Sequence, residues 1–429
     1  MSSSLCYYNC SEHPYSISPN PDISGVGVII GYATTAGIVV FILLVSYFTV
    51  YDPLEDPFRK EIGGTPTIQY RPNPVDVVFL KLTSAIWNRL RKKNTLSSVA
   101  PPRMPRNTRL HASCVKCVQS MSDLQILTGT SILISGYAQL KCGLSAYHWQ
   151  ILVFLAWFSS LTHLSCLTFL RNYLYNRPGE RVWRLIGMAI MLLMLLVAMV
   201  PTGNFNWRAS TNSTPVPSPS DYAICYFNRA KQADNMTFGT MIFAILLLSL
   251  GFIYRIVRLH RSLSVNVVGR ARRILSGRAR QFLIQLYNKL DISNSGMSLR
   301  RTMAYRPFLA LFLATRTIVD TWTSMFFEIL WLLGSFIWGL TRLRQTLGLS
   351  NGGSGEWAFG QVISILQLAA PLLTISEYLY PSKSISAFTP SNTHFGRSTI
   401  RGSRSTQLHS TGPGNGWIQQ RIGLAISCR

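Results

Sequence analysis

Seven stretches of mostly apolar residues, each about 20 residues long, recur along this chain and constrain its fold more than any other feature. A helix of that length matches the thickness of the hydrocarbon layer of a bilayer, so each stretch predicts a membrane-spanning helix. Only 13% of the 429 residues are charged, whereas about 25% is usual in a soluble domain. The predicted fold class is therefore all-α, a polytopic helical membrane bundle. The predicted spans are 24–50, 124–142, 148–170, 185–202, 237–256, 319–341 and 357–379.

The start of the sixth span is ambiguous. The apolar run from Pro307 to Leu340 is too long for one span and too short for two. It also contains Arg316 and Asp320, which are unfavourable inside a bilayer. Because proline favours the first turn of a helix, we expect a cytosolic or interfacial helix from Pro307 that leads into a span beginning near Asp320. A span that begins near residue 307 is the alternative.

Basic residues alternate between the loops, which predicts the orientation. Of the 41 Lys and Arg residues, 34 fall in four segments: 51–123, 171–184, 255–306 and the region after 379. Cytoplasmic loops are enriched in Lys and Arg. The N-terminal tail 1–23 is therefore predicted outside, and the basic loops 51–123 and 257–306 in the cytosol. The net charge of +25 does not indicate nucleic-acid binding, because these residues are tied to membrane loops and no nucleic-acid-binding module is visible.

Four cysteines fall in predicted exofacial segments, and four cysteines permit three pairings. We favour Cys142–Cys225, which would join the end of the second span to the loop before the fifth. Cys6 and Cys10 would then form a second pair or stay free. Two sequons in the same loop, at Asn212 and Asn235, are candidate N-glycosylation sites. These patterns predict a glycoprotein with a disulfide-linked outer face.

Two cytosolic segments combine apolar residues at helical spacing with basic residues. They are "PVDVVFLKLTSAIWNRLRKK" in the first loop and "RARRILSGRARQFLIQLYNKL" at 270–290. Such helices bind anionic lipid on the cytoplasmic leaflet, although solvated connecting helices are an equal alternative. The tail 381–429 is rich in Ser, Thr and Gly, which predicts disorder.

Polar residues inside the predicted spans indicate either a hydrophilic site or hydrogen bonding between helices. Glu328 is the strongest candidate because a carboxylate in a span must be paired, protonated or hydrated. We hypothesise that His163 is its partner. Gly27 and Gly31 form a GxxxG motif that indicates close helix packing. The candidate intramembrane polar site comprises His163, Glu328, Asp320, Gln125, Gln139, Gln361 and Gln367.

Three segments carry a resemblance to a known family. They are "NPDISGVGV" at 20–28, "SAYHWQILVFLAWFSSLTHLSCLTFLRNYLYNRPGERVWRL" at 145–185 and "EWAFGQVISILQLAAPLL" at 356–373. The chain resembles a family of uncharacterised multi-pass integral membrane proteins of filamentous fungi, over roughly residues 20–380. The resemblance implies a fungal source and the same membrane architecture. It implies no reaction, ligand or catalytic residue.

These patterns favour a non-enzymatic, receptor-like or sensory protein of the plasma membrane or endomembrane system. The alternative is a small transporter, or a membrane accessory to transport or to secondary-metabolite handling. The sequence shows no nucleophile–base pair, no metal-ligand constellation and no nucleotide-binding loop, so we expect neither an enzyme nor a cofactor. The expected partners are the lipid bilayer, anionic lipid at the basic loops, and a ligand or protein that the sequence does not identify.

Overall fold

The computed structural model shows an assembly of helices, and every regular element among the described residues is helical. The all-α fold class is thus confirmed. The described residues are 8–11, 14–55, 58, 72–91, 108–205, 207, 218–227, 235–261, 263–264, 269–291, 297–349 and 357–379. The α-helices are α1 (Pro21–Ser24), α2 (Val26–Thr49), α3 (Pro74–Arg91), α4 (Thr108–Gln139), α5 (Ala146–Phe169), α6 (Arg171–Asn176), α7 (Pro178–Met199), α8 (Asn235–Leu259), α9 (Gly269–Asp291), α10 (Met297–Trp322), α11 (Met325–Leu347) and α12 (Phe359–Leu379).

Among the described residues, five helical segments are long and apolar enough to cross a membrane. They are Pro21–Thr49, Ala146–Phe169, Pro178–Asn204, Met236–Leu259 and Met325–Leu347. Helix α12 contributes a shorter apolar stretch, and α4 is too polar for this group. The membrane-embedded character predicted from the apolar runs is therefore confirmed by length and composition for five helices.

Helix α5 forms the centre of the bundle, by which we mean α2, α4, α5, α7, α8, α11 and α12. Its residues from Ala146 to Thr168 are all buried, and it packs against α2, α4, α7, α8 and α11. The surrounding helices expose large apolar side chains, such as Phe41 on α2 and Leu193 on α7. Apolar residues on all sides of a helix are typical of a membrane environment.

A tight turn connects α4 to α5. Gly143 has a φ of 84° in this turn, a conformation that glycine adopts without steric penalty. Ser145 then caps α5, since its hydroxyl accepts a hydrogen bond from the His148 amide. The turn allows the two helices to pack side by side.

Side-chain contacts show that α4 and α5 run antiparallel. A Cβ atom on Gly129 would meet Ser159, and one on Gly136 would meet Leu152. A later residue on α4, Gly136, thus contacts an earlier residue on α5, Leu152, as expected for antiparallel helices.

The GxxxG motif lies at a close helix contact, and the structure identifies α12 as the partner of α2. A Cβ atom on Gly27 would lie 2.8 Å from the Gln361 carbonyl oxygen, and one on Gly31 would lie 2.9 Å from the Ser364 carbonyl oxygen. Real side chains do not fit at such distances, so both glycines are required by the close approach of the two backbones.

The expected helix start at Pro307 is wrong. Pro307 lies inside α10, which begins ten residues earlier at Met297. The separate helix leading into the sixth predicted span is present, but α11 begins at Met325 rather than near Asp320, after a break at Thr323 and Ser324. The Ser324 hydroxyl accepts from the Phe327 amide, so the cap residue, and not the proline, determines where the apolar helix starts.

Candidate functional site

Three groups of buried polar side chains lie at different levels of the bundle. We call the end that holds Arg255 and Arg258 the arginine end, and the end that holds the Cys10–Cys225 disulfide the disulfide end. Helix α5 ends at the arginine end, where Thr168 contacts Arg255. The third level lies between the two ends, on the facing surfaces of α4 and α5.

The middle level consists of hydrogen bonds between α4 and α5. The His163 imidazole is fully buried, and its Nδ1 atom is hydrogen-bonded to the Ser122 hydroxyl at 2.9 Å. The Ser159 hydroxyl lies 2.7 Å from both the carbonyl oxygen and the Oε1 atom of Gln125. A Cβ atom on Gly129 would collide with Ser159, so the small residue permits these bonds. This level joins two helices with neutral polar groups.

Two arginines of α8 dominate the arginine end. The Arg255 guanidinium donates from Nε to the Thr168 hydroxyl at 2.8 Å and from Nη1 to the Gly251 carbonyl at 2.9 Å. Its Nη2 atom reaches the Glu328 carbonyl at 3.4 Å. Arg258 forms an ion pair with the Glu328 carboxylate, which is 5% exposed. Helix α8 is thereby joined to α5 and α11 through a buried and a partly buried arginine.

The first turn of α3 holds the start of α11. The Asp76 carboxylate is buried and accepts hydrogen bonds from the Met325 amide at 2.9 Å, the Phe326 amide at 3.1 Å and the Tyr47 hydroxyl at 3.1 Å. A carboxylate at a helix N-terminus is stabilised by the free amides and by the helix dipole. Burial raises the pKa of the Asp76 carboxyl above its usual value, while these hydrogen bonds and the charge of Arg258 oppose that shift.

Asn73 adds a second link between α3 and the break before α11. Its side-chain amide donates to the Asp320 carbonyl at 2.8 Å and to the Thr323 hydroxyl at 3.2 Å. The ends of α2 and α10 and the starts of α3 and α11 therefore meet next to the Arg258–Glu328 ion pair.

A separate ion cluster joins α4 to α7. Arg184 binds the Asp123 carboxylate with two hydrogen bonds, at 2.7 and 2.9 Å, and the Glu180 carboxylate at 3.1 Å. Arg177 and the Gln119 amide also contact Glu180, each at 3.0 Å. Arg184 is 4% exposed. Two parallel hydrogen bonds between one guanidinium and one carboxylate form the strongest kind of ion pair between an arginine and an acidic residue.

At the disulfide end, the predicted Cys142–Cys225 pairing is wrong. Cys225 pairs with Cys10, 215 residues away in the sequence, which also excludes a Cys6–Cys10 bond. Cys142 is itself in a disulfide. Because Cys10 precedes the first helix, its bond ties the N-terminal segment, rather than the end of α4, to the segment before α8.

Further hydrogen bonds hold the disulfide end. The Ala146 amide donates to the Asp221 carbonyl at 2.7 Å, and the Ala223 amide donates to the Leu144 carbonyl at 2.9 Å. The His148 imidazole contacts the Ser145 hydroxyl at 2.7 Å and the Ser24 hydroxyl at 3.4 Å. Of the two sequons, Asn212 lies outside the described residues and Asn235 is the first residue of α8.

The proposed partnership of His163 with Glu328 is wrong, since each has another partner. His163 bonds to Ser122 in the middle level, and Glu328 pairs with Arg258 at the arginine end. The reason is the register of α11: its first residue is Met325, so Glu328 lies in the first turn. The sequence also places Arg258 in the loop after the fifth predicted span, whereas it lies within α8.

The seven candidate residues do not form one intramembrane site. His163 and Gln125 lie together in the middle level. Glu328 and Asp320 lie near the arginine end, where Asp320 forms a 3.9 Å ion pair with Arg316. The remaining three lie elsewhere in the bundle. Gln139 donates to Ser135 at the far end of α4, Gln361 accepts from the Gly27 amide at 3.3 Å, and Gln367 is half-buried on α12.

Sequence reasoning missed the residues that organise the arginine end. The charge pattern groups Arg255 and Arg258 with the following basic loop, although their three-residue spacing places both on one face at the end of a span. Asn73 is recognisable as the N-cap of α3, and Asp76 is the third residue of that helix. The signals were present, but each partner lies on a helix distant in sequence.

The chemistry of these levels is ion pairing and hydrogen bonding between helices. In the part of the chain that the structure describes, no three His, Cys, Asp or Glu side chains come close enough to hold a metal ion. Comparison of the whole chain with protein-family models, curated proteins and solved structures gives no match.

Proposed function

We propose that this chain is a non-enzymatic, receptor-like or sensory membrane protein with seven spans, an outside N-terminus and a cytosolic C-terminus. The observation that carries the proposal is the arginine end. There, buried charges of α8 contact α5 and α11, next to the point where Asp76 holds the start of α11. A shift of any one of these helices changes the contacts of the others, which is what transmission between two faces of a membrane requires.

The charge pattern supports the proposed orientation. The arginine end lies beside segment 255–306, which holds twelve of the basic residues, and cytoplasmic loops are enriched in such residues. The opposite end contains a disulfide, which persists in an oxidising compartment. Helices α4 and α12 are the two further proposed spans, because α12 packs along both α2 and α4. A fungal source, the plasma membrane or endomembrane location and glycosylation stay predictions from the sequence.

Rigid coupling through α5 supports a sensory role. This helix is buried along its length and contacts both ends of the bundle. Its polar side chains in the middle level are paired with α4 rather than directed along an open path. A perturbation at the disulfide end would therefore reach the arginine end through packed helices.

The proposal can be tested without a known ligand. Spin labels on unnatural amino acids at Thr49, after which α2 ends, and at Leu263, beyond α8, report the separation of these helices at the arginine end. Both side chains are exposed. We expect Cys10→Ser with Cys225→Ser to shift or broaden the distance distribution measured by electron double resonance in nanodiscs. The matched control Cys114→Ser changes a free thiol and should leave the distribution unchanged. An unchanged distribution in the double variant would contradict coupling between the ends.

A small transporter is the second candidate, favoured by the buried Glu328 carboxylate and its partly buried partner Arg258. Intramembrane charges often mark ion or proton paths. Proteoliposomes that contain pyranine would report proton flux after a pH jump. Flux above that of empty liposomes, lost in Glu328→Gln, would favour transport. Wild-type traces equal to those of empty liposomes would contradict proton transport.

We further propose anionic lipid as a partner of α3 and α9. Val78, Leu82 and Ile86 form an exposed apolar stripe on α3 at four-residue steps, next to the exposed Lys81 and Arg89. Helix α9 likewise combines exposed apolar and basic side chains: Ile274, Phe282, Arg273, Arg278 and Arg280. An environment-sensitive dye at Ile86 should shift to shorter wavelength when phosphatidylserine is added to phosphatidylcholine nanodiscs. The same emission in both lipids would contradict this partner.

A further inference from the structure

Helix α10 exposes large apolar side chains on more than one side. Five of them are between 37% and 65% exposed: Phe308, Leu311, Leu313, Ile318 and Val319. Leu311 and Leu313 are two positions apart, so they point to different sides of the helix. Among the described residues, α9 packs against one side, where the Phe282 and Phe308 rings lie 6.0 Å apart. An apolar surface of this extent marks a contact with a membrane or with another protein.

The length of the apolar run in α10 is too short for a further membrane crossing. Residues 307–319 contain one charged side chain, that of Arg316, but the run has only 13 residues. A crossing needs about 20, and α10 is not among the described helices that are long and apolar enough to cross a membrane. Runs of about 10–14 apolar residues occur in buried core helices and in segments that lie in the membrane interface. The exposure of α10 rules out a core helix.

The connection to α11 places the end of α10 at the arginine end. Two residues separate Trp322, the last of α10, from Met325, the first of the apolar helix α11. The Trp322 carbonyl accepts a hydrogen bond from the Tyr254 hydroxyl at 2.8 Å, and Tyr254 also contacts Arg258. The Trp322 side chain is 44% exposed, and tryptophan is enriched where membrane meets water. Helix α10 therefore ends at the level where α11 enters the bundle.

We propose that α10 lies in the bilayer interface at the arginine end, and that its partner is the lipid of that one leaflet. Lipid can cover apolar side chains on several sides of a helix, whereas a docked protein covers one face. Acyl chains would cover Leu311 and Ile318. The Arg316 side chain is 62% exposed, so its guanidinium can extend to the headgroups while its stem stays among the acyl chains.

The property of the membrane that α10 reports is lipid packing rather than headgroup charge. Helices α3 and α9 have several exposed basic side chains next to apolar ones, whereas residues 306–322 contain only Arg306, Arg316 and Asp320 as charged residues. Arg316 also forms an ion pair with Asp320. A helix in one leaflet displaces lipid in that leaflet alone, so its insertion is favoured where the leaflet is loosely packed or curved.

The last turn of α10 is connected to the elements that organise the arginine end. The Trp322 ring lies 5.0 Å from the Phe327 ring and 6.1 Å from the Trp331 ring, both on α11. The Asp320 carbonyl accepts from the Asn73 side-chain amide at 2.8 Å. A change in the depth or tilt of α10 would therefore move the start of α11. In this step the inference rests on the sensory proposal, and lipid packing would be the stimulus.

Fluorescence quenching by spin-labelled lipid tests the location of α10 in the full chain in liposomes. A fluorescent unnatural amino acid would replace Leu311, with Leu193 of α7 and Tyr15 of the N-terminal segment as reference positions. All three side chains are exposed, so the label disturbs no interior packing. We expect the Leu311 label to be quenched most by a nitroxide near the headgroup, and the Leu193 label by one deeper in the acyl chain. The Tyr15 label should be quenched least.

Three results would overturn the location. Quenching at Leu311 as weak as at Tyr15 would place α10 in water. Quenching at Leu311 with the same depth preference as at Leu193 would show that α10 enters the membrane core. A Leu311 label that is shielded from lipid and that transfers energy to a label on another copy would show that a second copy covers α10.

A second experiment tests lipid packing as the stimulus. The spin-label distance between Thr49 and Leu263 would be measured in liposomes of dioleoyl phosphatidylcholine with and without cholesterol, which tightens packing without changing headgroup charge. We expect the distance distribution to shift in the wild type, and the shift to be lost in Leu311→Ser with Ile318→Ser. The matched control Thr317→Ser, an exposed change on the same helix, should keep the shift. An equal shift in the double variant and the wild type would overturn this role of α10.

Failure of the sensory proposal gives a different result. If Cys10→Ser with Cys225→Ser leaves the distances unchanged while lipid packing still shifts them through α10, coupling between the two ends fails and the α10 inference stands. If the disulfide variant shifts the distances and lipid packing does not, the sensory proposal stands and lipid packing is excluded as its stimulus.

Discussion

The two ends of the bundle are stabilised by different kinds of interaction. At the disulfide end, a covalent bond joins Cys10 to Cys225, and backbone hydrogen bonds hold the segment before α5. At the arginine end, the buried Arg255 and Glu328 and the partly buried Arg258 join helices through charged side chains. Covalent and backbone bonds do not depend on side-chain ionisation, whereas buried ion pairs require both partners to be charged and correctly placed.

This difference assigns distinct roles to the two ends. A covalently held end keeps its geometry when one hydrogen bond is lost. An end held by paired charges is strongly destabilised when one partner moves or is neutralised, because the other charge is left buried. We therefore infer that the arginine end is the part of the bundle where small displacements have large energetic consequences, as a switching element requires.

The largest effect is expected for Glu328→Gln, which leaves Arg258 without its carboxylate. Loss of one partner of a buried ion pair costs about 3–5 kcal/mol. Thermal unfolding in nanodiscs should show a strongly lowered midpoint. Arg344→Gln, an exposed change on the same helix, should alter the midpoint little. Equal midpoints for the two variants would show that the charges do not hold the arginine end.

The double substitution Cys10→Ser with Cys225→Ser should have the next largest effect. The disulfide closes a loop of 215 residues, and a native disulfide usually contributes about 2–4 kcal/mol. This loss should be independent of pH between about 6 and 8, because a disulfide does not ionise. Unfolding midpoints at several pH values measure it. A midpoint equal to that of Cys114→Ser would contradict a stabilising role.

Gly31→Ala tests close packing, in which neither charge nor a covalent link takes part. The added Cβ would lie 2.9 Å from the Ser364 carbonyl oxygen, so α12 must move away from α2. Overpacking of this kind costs about 1–3 kcal/mol. Gly334→Ala is the matched control, since nothing lies within 4 Å of its Cβ position. Destabilisation of similar size in both variants would point to helix propensity instead of contact with α12.

The smallest effect is expected in the pH dependence of Asp76→Asn. Burial raises the pKa of the Asp76 carboxyl above 3.8, against the hydrogen bonds from α11 and Tyr47 and the charge of Arg258. Above pH 3.8 the unfolded chain releases a proton that the folded chain still holds, so this residue lowers stability as pH rises through the folded-state pKa.

The carboxamide introduced by Asp76→Asn cannot titrate. The contribution of this residue to the pH dependence of the unfolding midpoint should therefore vanish in the variant. Unfolding midpoints from pH 4 to about 7 provide the measurement. Asp22→Asn, an exposed change at the start of α1, should retain the wild-type slope. The same slope in Asp76→Asn and wild type would contradict a raised pKa.

The helical elements could be predicted largely from the sequence because their signals are local. Apolar runs of membrane length located α2, α5, α7, α8 and α11, and the glycine spacing correctly predicted the close contact of α2. Helix ends were harder to predict than helices. Pro307 resembled the start of a helix but lies inside α10, and Ser324 is the residue that caps the start of α11.

The pairing of polar groups could not be predicted, because it depends on which helices are neighbours in space. The sequence pointed to His163 as the partner of Glu328, whereas the register of α11 and the end of α8 bring Arg258 to that carboxylate. The cysteines show the same limit, since the sequence permitted three pairings and the favoured one was wrong, because Cys10 lies far from Cys225 along the chain. Seven polar residues in predicted spans therefore resembled one site, although the structure distributes them among separate contacts.

The pairing of Arg258 with Glu328 is the central feature of the arginine end, and a double-mutant cycle measures it most directly. Unfolding free energies would be compared for wild type, Arg258→Met, Glu328→Met and the double variant in nanodiscs. We expect each single change to be strongly destabilising and the double variant to recover a large part, with a coupling energy of about 1–3 kcal/mol. Additive effects, with a coupling energy near zero, would contradict a buried ion pair that joins α8 to α11.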